Sequence, residues 1–223
     1  NVWILDWYNY IIQHNPTPQG FRTGRGNAYE SDLRDKKHGR IYRLVYTAGQ
    51  PDTATDEPHG PNLTEATPGA LVQALQHPTM AVRLQAQRLL LERGLGELAG
   101  PLTALIKDRS VDAIGLNPGA IHALWTLHGA GLIKPDGSEL WNAVIGALQH
   151  PGSGVRRAAV QTLPPATESL AVLLTSRVLD DPHPQVRLAA ILALADMPAA
   201  AAAGEELQRL LSDPRSGLAQ DPS

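Results

Sequence analysis

The chain has 223 residues, enough for one or two domains with a sizeable core. It contains no Cys, which excludes disulfides, thiol catalysis, cysteine metal sites and covalent haem attachment within it. A net charge of −3 and a pI near 6.2 leave no electrostatic footprint for nucleic acid or a membrane surface, and no apolar run is long enough to span a bilayer.

The chain opens on Asn1, without Met or leader, directly into Val2-Trp3-Ile4-Leu5, which reads as a strand under way. The tail over 214–223 has no stop logic, so the expectation is a fragment of a longer protein. Residues 1–46 hold eight of the ten aromatic side chains and seven Lys/Arg against four Asp/Glu. Two strands are expected there, 2–6 and 40–46, joined by a long loop that is functional or partly disordered. Two strands alone are marginal in water, so they must lean on the rest of the chain or on a sheet outside it. Residues 47–61 are polar and rich in Pro and Gly, as linkers are.

From residue 62 to 213 the chain turns acidic and rich in Ala and Leu. A phrase recurs there three times: Leu75-Gln-His-Pro-x-x-x-Val82-Arg83, Leu148-Gln-His-Pro-x-x-x-Val155-Arg156 and Leu179-Asp-Asp-Pro-x-x-x-Val186-Arg187. Ala86, Ala159 and Ala190 follow the Val by four residues; Leu90, Leu163 and Leu194 follow by eight. These steps put Val, Ala and Leu on one helical face, with the Pro in the turn before it. A divergent copy carries Ala120 where Arg would stand, and Leu127 as the closing Leu. The spacing predicts helices over 67–76, 80–93, 97–107, 118–129, 137–149, 153–163, 167–179, 184–195 and 200–212. Repetition at this period predicts a mainly α protein, a HEAT-like α-solenoid with a short N-terminal β segment.

Helix pairs with Pro in the intra-pair turn and Val-Arg opening the second helix resemble HEAT repeats. In residues 1–46, Asp6-Trp7-Tyr8-Asn9, then His14, then His38-Gly39-Arg40-Ile41-Tyr42-Arg43 resembles the close of a β-propeller. That order, with helical repeats behind it, is similar to the PVC-type haem-binding CxxCH proteins, also called the membrane-bound dehydrogenase domain family. The resemblance implies a parent protein in which a sugar-dehydrogenase-like propeller is followed by HEAT repeats and a c-type cytochrome domain. It implies an extracytoplasmic location, periplasmic or secreted, and electron transfer to haem. Most of the propeller and all of the cytochrome are outside this sequence, so the chain itself is expected to be a non-catalytic scaffold with no cofactor of its own. Its partners would be the parent's own propeller and cytochrome domains. Two alternatives stay open: a stand-alone module binding a protein or peptide on its concave face, and an oxidoreductase site in the loop 9–38.

Asp6, His14, His38 and Arg40 are the candidates for such a site, since imidazole and carboxylate suit a divalent ion. The structural alternative is turn bonding by Asp6 and Asn9 and packing by Trp7 and Tyr8. The basic loop residues, Arg22, Arg25, Arg34, Lys36, Lys37 and Arg40, either meet an anion or are solvated. No Gly-x-Ser-x-Gly elbow, P-loop or His-Glu-x-x-His is present. His77 and His150, just before Pro in equivalent turns, are expected to serve the turn. Arg83, Arg156 and Arg187 share one register and are expected to form a ladder of ion pairs or carbonyl contacts between repeats. Asp108, Asp180, Asp181 and Asp213 are the candidate partners, and a repeated binding surface is the alternative.

Overall fold

A computed structural model describes residues 2–6, 19–20, 22–23, 29–30, 39–44 and 61–212. The chain divides into two compact units, Asn1–Glu57 and Pro58–Ser223. In the first, β1 (Val2–Asp6) pairs antiparallel with β4 (Arg40–Leu44), from Val2 opposite Leu44 to Asp6 opposite Arg40. Within the expected long loop lies a second, two-residue antiparallel ladder, β2 (Arg22–Thr23) with β3 (Tyr29–Glu30).

The second unit is helical: α1 (Pro68–Ala74), α2 (Met80–Arg93), α3 (Ala99–Lys107), α4 (Pro118–Gly129), α5 (Glu139–Ala147), α6 (Ser153–Thr162), α7 (Thr167–Thr175), α8 (Pro184–Asp196) and α9 (Ala201–Ser212). Their starts follow local chemistry. Thr67, Asn117 and Ser138 accept hydrogen bonds from the first-turn N–H groups of α1, α4 and α5. Pro68, Pro118 and Pro184 stand at first helical positions, where no N–H is needed. Among the described residues no helix is long and apolar enough to cross a membrane.

Three expected helices end early, the first of them, predicted over 67–76, at Ala74. The one predicted over 137–149 stops at Ala147, and Leu148, Gln149 and His150 donate instead to the carbonyls three residues back. The one predicted over 167–179 stops at Thr175, because Arg177 takes a left-handed φ of 63°. A 3-10 turn over Val178–Asp180 follows. The last turn thus tightens before the Pro, which a helical pattern in the sequence cannot reveal.

Helices α2, α4, α6 and α8 lie side by side in one row, each also touching the odd-numbered helix before it; α3 touches α5 and α7 touches α9 on the other side. The Val, Ala and Leu of each repeated phrase fill the space between. All twelve positions, from Leu75, Val82, Ala86 and Leu90 to Leu179, Val186, Ala190 and Leu194, are at most 6% exposed. Ala86, Ala159 and Ala190 are fully buried, as small residues at a close helix contact must be.

Ala159→Leu should therefore overpack the α6 contact and cost about 1–3 kcal/mol. Leu163→Ala should leave a cavity and cost about 2–5 kcal/mol. Urea unfolding midpoints read both effects; wild-type midpoints in the two variants would refute the packing.

Candidate functional site

The three register-matched arginines build one device three times. Arg83 Nη1 donates to the carbonyls of His77 at 2.6 Å and Pro78 at 2.9 Å. Arg156 Nη1 does the same to His150 at 2.8 Å and Pro151 at 2.9 Å, and Arg187 Nη1 to Asp181 at 2.8 Å and Pro182 at 3.3 Å. Each guanidinium reaches back over the turn and satisfies the two carbonyls of the His-Pro or Asp-Pro step. The contacts lie within a repeat, where the sequence pointed to contacts between repeats.

The residue before each Pro completes the turn from the other side. His77 Nδ1 accepts from Thr79 N at 3.0 Å, His150 Nδ1 from Gly152 N at 2.9 Å, and Asp181 Oδ1 from His183 N at 2.8 Å. His and Asp interchange here because both offer an acceptor to the N–H two residues on. His150, 1% exposed, also directs Nε2 at the Asp108 carbonyl, 2.9 Å away. Gly152 is needed at this turn: a Cβ there would meet the Gly115 carbonyl at 2.9 Å.

Of the proposed acidic partners, only Asp181 joins the ladder. Its carboxylate takes Arg156 Nε at 2.6 Å and Nη2 at 2.8 Å, a bidentate pair with side chains 14% and 6% exposed. This pair does bridge one repeat to the next. Asp180 pairs with Arg209 of α9, and Asp108 holds Ser110 and Asn117 of its own loop. Asp213 lies outside the described residues. Arg187 makes no ion pair among the described residues, and the buried Nε of Arg83 has no partner there.

In the divergent copy, with Ala120 at the arginine position, Asn117 makes the turn contacts instead. It is 8% exposed; its Oδ1 caps α4 at Ala120 N, and its Nδ2 donates to the carbonyls of Asp108 and Ser110. The Asn-Pro dipeptide was the available signal. Arg93 ties α2 to the segment before α1 through the Ala66 and Thr64 carbonyls, a contact 27 residues back that no local pattern announces. His122 was unpredicted as a buried site: Nδ1 lies 2.7 Å from Gln87 Oε1, and burial, then the charge of Arg83, lowers its pKa below 6.5.

In the N-terminal unit, Asp6 sits opposite Arg40 in the ladder. The Arg40 side chain is exposed and Nη1 donates to the Tyr42 hydroxyl at 3.1 Å. His14 and His38 lie outside the described residues. Among the described residues there is no group of three or more His, Asp or Glu side chains able to hold a metal. What the described chemistry does is hold turns and bridge helices.

Removing one partner of the buried pair should be costly. Asp181→Ala should destabilise by about 3–5 kcal/mol, and Arg156→Met with Asp181→Leu should recover much of the loss in a double-mutant cycle. Burial alone would raise the Asp181 carboxyl; the hydrogen bonds from Arg156 and His183 N–H and the Arg156 charge overcome it and hold it below 3.8. A pKa depressed in the folded state gives stability that is present above the unfolded value and lost as pH falls through the folded one. Unfolding midpoints measured from pH 5 downward should therefore drop more steeply in the wild type than in Asp181→Asn. Equal slopes would refute this.

The comparisons with known proteins reach only the first unit. A family model described as a domain of unknown function, DUF7133, matches residues 1–48, about a fifth of the chain. No curated protein matches the chain. No solved structure does either.

Proposed function

We propose that residues 62–213 form a HEAT-like α-solenoid that acts as a scaffold and carries no catalytic chemistry of its own. The observation that carries this reading is the arginine clamp, built three times in one register at the start of α2, α6 and α8. A device repeated so regularly serves repeat geometry, since the same hydrogen bonds that would be offered to a ligand are spent on the turn. The row of even-numbered helices and the second layer behind it fit the same architecture.

Residues 1–46 would close a propeller, and the solenoid would space that propeller from a c-type haem domain in an extracytoplasmic sugar-type dehydrogenase. The β1–β4 ribbon supports this. Val2, Ile4, Tyr42 and Leu44 share one face and Leu5 and Ile41 the other, and each is 43–80% exposed. A ribbon apolar on both faces suits a sheet covered on both sides, as a propeller blade is. A stand-alone interaction module is the second reading. It is favoured by Leu84, Leu188 and Leu192, 48–59% exposed on the row of even-numbered helices.

Two experiments test the proposal. Deleting residues 164–212 should leave α1–α6 folded, with a smaller unfolding m-value, as nearest-neighbour repeats require; global collapse would refute the solenoid. Dye reduction with a panel of aldoses, with and without calcium and pyrroloquinoline quinone, should show no turnover by the chain. Turnover abolished by a substitution at Asp6 or His38 would move the assignment to an enzyme site in the loop 9–38.

A further inference from the structure

Helices α4, α6 and α8 place their C-terminal halves around one groove of about 610 Å³. Trp125 and His128 come from the end of α4, Gln161 from the end of α6, and Leu192 and Asp196 from the end of α8. The groove has an apolar wall: Leu192 is 59% exposed, and Trp125 is half-buried, fixed edge-on to His128 with ring centroids 5.5 Å apart. Its electrostatics have one sign. No Lys or Arg lines it. Asp196 is exposed and forms no ion pair among the described residues. Three helix C-termini add the partial negative charge of their terminal carbonyls. Arg156 and Arg187, near the starts of α6 and α8, are engaged with their own turns, and the exposed Arg157 of α6 is not among the lining residues.

Resting on the scaffold reading, we infer that this groove docks a cationic amphipathic segment of a partner protein. Apolar side chains of the segment would pack on Leu192 and Trp125. An Arg or Lys would lay its aliphatic stem across the Trp125 ring and bring its charge to Asp196 and the helix ends. An acidic segment or a nucleic acid would meet the same negative groove unfavourably.

The test is isothermal titration of the full chain, at physiological ionic strength, with a synthetic helical peptide of Leu, Ala and Arg and with its Glu-for-Arg counterpart. The Arg peptide should bind at least about tenfold more tightly than the Glu peptide. Asp196→Arg should invert that preference, and Leu192→Glu should weaken the Arg peptide by about tenfold or more. Glu65→Arg, the same charge change beside α1, should leave the ratio intact, which separates the groove from general attraction to an acidic protein. Thermal unfolding of each variant checks the fold, and Asp196→Asn, at an exposed position with no new charge, should weaken the Arg peptide about three- to fivefold. Equal binding of the two peptides, or a preference unmoved by Asp196→Arg, overturns the assignment. A folded wild-type chain that binds neither peptide also overturns it, and does so without touching the scaffold reading, which the deletion of residues 164–212 decides separately.

Discussion

A chain that turns at Pro between two packed helices leaves turn carbonyls that must find donors, and here arginine supplies them. In each repeated phrase a 3-10-type turn leads from the helix end to the His-Pro or Asp-Pro step, where Pro supplies no N–H. The following helix then sends back a guanidinium from its first turn, and one Nη1 satisfies two carbonyls at once. The residue before Pro accepts the N–H two places on. The two arrangements fix the angle at which the second helix leaves the turn. The packing of Val, Ala and Leu depends on that angle, because Ala tolerates close approach only when the helices arrive aligned.

The clamp also decides what the arginines cannot do. A row of Arg83, Arg156 and Arg187 at the helix starts reads in sequence as a binding stripe, yet one Nη1 of each is held by two turn carbonyls at 2.6–3.3 Å. The charge of that edge is therefore structural. At the opposite ends Asp196 is exposed beside Trp125, while the α4 terminus is closed by the N–H groups of Ala130, Gly131 and Leu132 and the Thr162 carbonyl lies 3.3 Å from His128 Nδ1. On the proposed scaffold reading, one edge holds the shape and the other carries the groove.

Much of the helical unit was legible from spacing alone. The i, i+4, i+8 pattern of Val155, Ala159 and Leu163 specifies a buried face because helical geometry leaves no other way to align them. Helix starts at Pro68, Pro118 and Pro184 were equally readable, since capping is local. The ends were less so. Arg177 turns left-handed and shortens α7 although nothing in its side chain favours that conformation, so the reason lies in the packing that follows.

The sequence by itself determined the helix faces, the turn positions and the register of the three arginines, all consequences of spacing within about ten residues. Only the tertiary structure decided the partners. Asp180 and Asp181 are chemically identical neighbours, yet Asp181 takes Arg156 and Asp180 takes Arg209, because adjacent residues of a turn point to different helices. Asn117 stands in for a missing arginine because the Asp108–Ser110 loop folds back over it. The groove at Trp125 and Asp196 joins residues 71 positions apart, which no local spacing encodes; it exists because three helix ends are brought side by side.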